Sequence, residues 1–188
     1  MTDKFKLLQL PTHPIQKHIP TELEMAREIA RENVSSELLK VKFEDAGYEV
    51  TLEEDGDVYI LRTGINLRII NFPDHACLQL RGNLTLNNDI ADEELKKLVT
   101  RANYESFMVR YVGHRWDNGE VALFGNYTIY YPFGLNMPNL IFSARRLIEN
   151  IRVFYEENKT NEVYFPKNDY AKIQRCLRLL FLTQKPPD

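Results

Sequence analysis

From Tyr48 onward, apolar and polar residues alternate. Tyr48, Val50 and Leu52 are separated by Glu49, Thr51 and Glu53, which is the pattern of a strand with one buried face. Asp55-Gly56 suits a tight hairpin, because both residue types accept the positive φ angles it requires. Val58 to Arg62 forms the return, Gly64 interrupts it, and Ile65, Leu67 and Ile69 start a third alternation. Pro73-Asp74 predicts another turn. Ala76, Leu78 and Leu80 then carry the last strand of a three- or four-strand meander that runs towards Leu86. A second hairpin follows later: a strand from Phe107 to Trp116 with Phe107, Val109 and Tyr111 inward, a turn at Asp117-Asn118-Gly119, and a return opened by Val121 and Leu123.

Elsewhere the period changes to that of a helix. Thr21 to Glu24 is a capping box after Pro20, with Leu23, Ala26, Ile29 and Ala30 at helical spacing behind it. Ser35 or Ser36 caps a continuation carrying Leu38, Leu39 and Phe43, and Gly47 supplies the left-handed residue that ends it. A short helix is expected over Asp89 to Asn103, acidic at its start and basic near its end, with Leu95, Leu98, Val99 and Ala102 inward. The longest begins at Pro138. Leu140, Ile141, Ala144, Leu147, Ile148, Ile151, Phe154 and Tyr155 share one face, and Glu149 and Arg152 are spaced to pair on the other. Beyond Pro166, Tyr170, Ile173, Leu177 and Leu180 predict an extra C-terminal helix. The expected class is α+β, in the order α-βββ(β)-α-ββ-α plus that helix. Its sheet is antiparallel because the turns between neighbouring strands are short. The expected organisation is an arm over residues 1–20, a domain over 21–159, and a helical extension over 160–188.

The composition, 44% hydrophobic and 27% charged, is that of a globular chain. Its length of 188 residues suits one core. The net charge of −3 gives no general attraction for nucleic acid, and none is expected as a partner. Acidic residues outnumber basic ones between Thr21 and Asp57, and the balance reverses towards the C-terminus. Met1 to Leu10 lacks the apolar run of a signal peptide and no stretch is long enough to span a bilayer, so the expected location is cytoplasmic.

The candidate chemistry is sparse. His75 and Cys77 sit two apart on an expected strand, where a thiol beside an imidazole could be a nucleophile or half a metal site. Only Asp74 is near, and the turn accounts for it. His114 with Trp116, Asp117 and Glu120 could form an acid–base centre, although hairpin chemistry explains the same residues. His13 and His18 fall in the arm. Glu53, Glu54, Asp55 and Asp57 lack the spacing of a calcium loop and read as a solvated turn. Phosphate-binding glycine loops and the nucleophile elbow are missing from the sequence. No cofactor, metal site or catalytic residue is therefore expected. Lys172, Arg175 and Arg178 form a modest basic stripe on the last helix, suited to nucleic acid or a membrane surface if it is more than a wet face.

The second hairpin is apolar on both faces. Met108, Val112 and Trp116 point away from the inward set, and Phe124, Tyr127 and Tyr130 add to them on the return strand. Either another element of the chain covers these residues or they form an intermolecular contact, and a dimer with Trp116 at or beside that contact is expected.

Ala46-Gly47-Tyr48, Asp55-Gly56, Glu93-Glu94-Leu95 through Ala102-Asn103, Arg110-Tyr111 and Gly119-Glu120-Val121-Ala122-Leu123 carry a family likeness. With the long helix that follows, the run from Phe43 to Glu156 resembles the bacterial YbjN family, whose fold is like that of type III secretion chaperones. The resemblance implies a non-enzymatic, chaperone-like or regulatory protein-binding module acting as a homodimer, and it carries no catalytic residues. The competing functions are a small-molecule enzyme centred on His114 or on His75 with Cys77, and a binder of nucleic acid or membrane surface through the basic last helix.

Overall fold

The computed structural model describes residues 28–63 and 65–166. Four sequence expectations lie outside those residues: the arm, the Thr21 capping box, the Gly64 break and the helix after Pro166. In chain order the elements are β1 (Glu28–Ile29), a 3-10 turn (Arg31–Asn33), α1 (Ser36–Asp45), β2 (Glu49–Leu52), β3 (Val58–Leu61) and β4 (Asn66–Phe72). A second 3-10 turn (Pro73–His75) leads to β5 (Cys77–Thr85), α2 (Asp92–Glu105), β6 (Arg110–Arg115), β7 (Val121–Tyr130), β8 (Leu135–Asn136) and α3 (Met137–Asn158). β2 to β7 form one antiparallel sheet of order β2-β3-β4-β5-β7-β6, and β1 pairs with β8 in a separate ribbon. This is the expected α+β class, with the meander containing four strands.

Local chemistry sets several boundaries. The Ser35 hydroxyl accepts the Leu38 N–H at 3.2 Å and starts α1; Gly47, at φ +84°, ends it. At the first hairpin Gly56 takes φ +83°, and the Asp55 carboxylate accepts the Asp57 N–H at 3.1 Å. The Asn136 side chain caps α3 by accepting from Asn139 N–H at 3.0 Å, with Pro138 in the first turn.

Five expectations are corrected. Ile29 and Ala30 are not helical: Ile29 pairs with Leu135 in β1, and Ala30 is extended (ψ 144°) before the first 3-10 turn. α2 begins at Asp92 instead of Asp89, because Ile90 is buried in the core and the Arg115 guanidinium holds the Asn88 and Ile90 carbonyls. Ala76 does not belong to the last meander strand, since its left-handed φ of +46° closes the turn before Cys77. His75 is likewise in that turn, exposed, while Cys77 opens β5 and is buried. Finally, Phe107 is fully exposed, since β6 begins only at Arg110.

All three helices lie on one face of the sheet. That inner face carries Val58, Ile60, Leu67, Ile69, Leu78, Leu80, Leu84, Val121 and Leu123 in a single core with Leu39, Phe43, Leu98, Leu140, Leu147 and Ile151. Gly82 and Gly125 sit opposite each other on β5 and β7 and leave a hollow for Ile151 of α3. A Cβ added at Gly82 would stand 2.5 Å from the Ile151 Cδ1. Gly113 similarly admits Leu95 and Val99 of α2. None of the described helices covers the opposite, outer face.

Candidate functional site

Strand alternation determines which side chains reach the outer face. Tyr59 comes from β3, Asn66 and Arg68 from β4, Arg81 and Asn83 from β5, Phe124 and Asn126 from β7, and Val112 and His114 from β6. With Trp116, just past β6, they line an open depression of about 550 Å³. Register decides the neighbours. Asn66, Asn83, Phe124 and Val112 are successive cross-strand partners, so an amide-to-apolar row crosses four strands.

The apolar end is an aromatic cluster. The His114 and Trp116 rings meet edge to face at 4.6 Å, and the Trp116 and Phe124 rings do so at 5.8 Å. Trp116 is held by the hairpin turn, where its N–H donates to the Glu120 carbonyl at 2.9 Å. Val112 and Trp116 remain 44% and 39% exposed.

The other end is built from arginines. Arg68 donates to Asp55 at 2.6 Å and also to Asp57, and its guanidinium lies 5.4 Å from the Tyr59 ring centroid. Partial burial opposes the Arg68 charge, but the hydrogen bond and charge of Asp57 outweigh it and raise its pKa. Burial likewise pushes the Tyr59 phenol up, against the pull of Arg68. Arg81 donates to Asn126 at 2.9 Å and to Gln79 at 2.7 Å while lying 5.5 Å from the Phe124 centroid. Asp55 and Asp57, read from the sequence as a solvated turn, are therefore the counter-charges of Arg68.

The structure brings together Val112, Trp116 and Phe124 of the proposed interface residues. Tyr130 is exposed at the far end of β7 opposite Cys77. Tyr127 is opposite Leu80 on the inner face and packs against the core. Met108 is elsewhere: it lines a groove of about 630 Å³ between the end of α2 and α3, with Phe107, Arg146, Val153 and Glu157. His75 is exposed in the turn while Cys77 is buried on β5, and His114 keeps Trp116 as a neighbour. His114 meets aromatic rings, and among the described residues no hydrogen bond or ion pair joins it to Asp117 or Glu120. No group of three or more potential metal ligands occurs among the described residues, and no described helix is long and apolar enough to cross a membrane.

Sequence reasoning missed Tyr59, Asn66, Arg68, Arg81, Asn83 and Asn126. Each occupies an outward position of a strand that was legible, so the available signal was polar and aromatic residues at those positions. Only strand order and register unite them.

No family model matches the chain, and no curated protein sequence does. Among solved structures it is similar to YbjN of E. coli, described as a candidate transcription regulator, with a TM-score of 0.62. The match covers 71% of this chain and 97% of that one at 13% sequence identity. At that identity the likeness is one of fold, and it agrees with the fold that the resemblance implied.

Proposed function

We propose that this chain is a non-enzymatic, cytoplasmic protein-binding module, chaperone-like or regulatory, that receives its partner on the outer face of the sheet. The observation that carries this reading is the contiguous Val112–Trp116–Phe124 cluster, beside arginines and amides, on a face that none of the described helices covers. Trp and Arg are the side chains that most often anchor interfaces, and an apolar centre with a polar surround is their usual setting. A shared fold with a candidate transcription regulator is compatible with a regulatory role, although fold does not dictate function.

A homodimer is part of the proposal, and it is assigned to a second apolar surface in place of the Trp116 contact expected from the sequence. Phe107 and Met108 project beside Val153, with Arg146 and Glu157 close by. Opposite charges within one patch let two copies pair across a two-fold axis.

A photo-crosslinking residue at Val112 tests the first part in intact cells. The expected result is a discrete protein adduct that disappears in Trp116→Ala. A nucleic-acid adduct, or no adduct at Val112 while a control at Thr100 yields one, overturns the reading. Sedimentation at micromolar concentration tests the second. The wild type should be a dimer and Phe107→Asp a monomer; a wild-type monomer, or a Phe107→Asp dimer, refutes the assignment.

A further inference from the structure

Beside the amide-to-apolar row runs a charged one. Tyr59 is opposite Arg68, Arg68 opposite Arg81, Arg81 opposite Asn126, and Asn126 opposite Arg110. Three arginines thus share a single row across the outer face. Like charges directly opposite each other destabilise a sheet, so such a row has a cost that the fold itself does not require. The guanidinium of Arg68 turns towards Asp55 and Asp57, which neutralise it. That of Arg81 turns the other way and, among the described residues, donates to the neutral side chains of Asn126 and Gln79. Arg110 is exposed and makes no ion pair among the described residues; its carbonyl accepts from Asn126 at 3.4 Å. Among the described residues, two positive charges are therefore left without a counter-charge, on the same face as Phe124 and Val112.

We propose that the partner segment is acidic as well as apolar, and that Arg81 and Arg110 select it through its carboxylates while its apolar side chains settle on Val112, Phe124 and Trp116. This rests on the protein-binding reading above and names the chemistry of the partner. The backbones of Arg81 and Arg110 stand two strand spacings apart, roughly 10 Å, so the two guanidinia together can engage one or two carboxylates of the segment. The Arg81 hydrogen bonds to neutral amides hold its guanidinium in place without cancelling its charge, which suits planar carboxylate recognition. Charge complementarity also argues against two other occupants. A polyphosphate backbone needs a continuous basic track, and here Asp55 and Asp57 close one end of the row. The chain's own C-terminal residues Lys172, Arg175 and Arg178 have the same sign as the row.

Trp116 is the only tryptophan in the chain, so its fluorescence reports occupancy of this face. The probes are a short peptide alternating Glu with Leu, its counterpart with Gln for every Glu, and an oligothymidylate. We expect the acidic peptide alone to perturb Trp116, with salt-sensitive binding weakened roughly tenfold by Arg81→Gln or Arg110→Gln, the loss of one charge-assisted contact. Arg110 is exposed, so its variant keeps the test valid if Arg81→Gln disturbs the sheet, which circular dichroism reveals. Equal binding of the Gln peptide overturns the acidic selection but leaves the protein-binding reading intact. Tighter binding of the oligothymidylate overturns both. If neither peptide binds, this inference fails, and the Val112 crosslink independently decides the broader reading.

Discussion

Ile151→Ala, alone and combined with Gly82→Ala, probes how α3 is seated on the sheet. Ile151 is 1% exposed, and its Cδ1 sits in the hollow formed by the paired Gly82 and Gly125. Truncation removes three carbons, worth about 2.4 kcal/mol in transfer at ~0.8 kcal/mol per methylene. A cavity contribution adds to this, and the facing glycines have no side chains that could relax into the space. The total should therefore reach about 4 kcal/mol, in the upper part of the roughly 2–5 kcal/mol range for such truncations. At an m-value of ~2 kcal/mol per M, that lowers the urea midpoint by about 2 M. Gly82→Ala alone should also destabilise, by about 1–3 kcal/mol, since its new methyl meets Ile151. The same change in the Ile151→Ala background places that methyl in the vacated space, so its cost should fall close to zero. The expected coupling is roughly 1–3 kcal/mol of relief. Urea unfolding of the four proteins measures it. An additive cycle, or an Ile151→Ala loss below ~1 kcal/mol, would refute this account of the helix–sheet contact.

Two further outcomes follow from individual contacts. The Asn103 amide completes the free edge of β6, donating to the Tyr111 carbonyl at 2.8 Å and accepting the Tyr111 N–H at 2.8 Å. Asn103→Asp keeps the acceptor but removes the donor, which should cost about 1–3 kcal/mol; an unchanged unfolding midpoint would show that the edge does not depend on the amide. Burial raises the Tyr111 phenol above its ordinary pKa, and burial, then the nearby Cys77, does the same for Tyr131, whose hydroxyl donates to Asn71 at 2.7 Å. A raised pKa means the folded state holds its protons longer. The contribution is complete below the unfolded value of about 10 and is lost as pH climbs through the folded one. Stability should therefore decline above pH ~10, less steeply in Tyr111→Phe; identical alkaline slopes would exclude Tyr111 as a source.

The sequence by itself determined the element types wherever the pattern was strong and local. The period-two run from Tyr48, the Asp55-Gly56 turn, the Ser35 cap and the Leu140-to-Tyr155 stripe all reappear in the structure, because each depends on residues within a few positions of one another. It could also say that the hairpin of β6 and β7 is apolar on both faces. It could not say which residues from other strands would stand beside Val112 and Phe124. That was decided by the order β2-β3-β4-β5-β7-β6 and by the register within it. β5, not β6, lies in the interior next to β7, and this brings Arg81 alongside Asn126 and Asn83 alongside Phe124. Pairings between β5 and β7 depend on closing a long loop, and nothing in either strand's local pattern encodes its partner's register. The same non-local closure took Ile29 out of its expected helix, since the Leu135 backbone offered it a strand partner. Met108 went to the α2–α3 groove for a related reason: β6 starts only at Arg110, so alternation did not govern the residues before it.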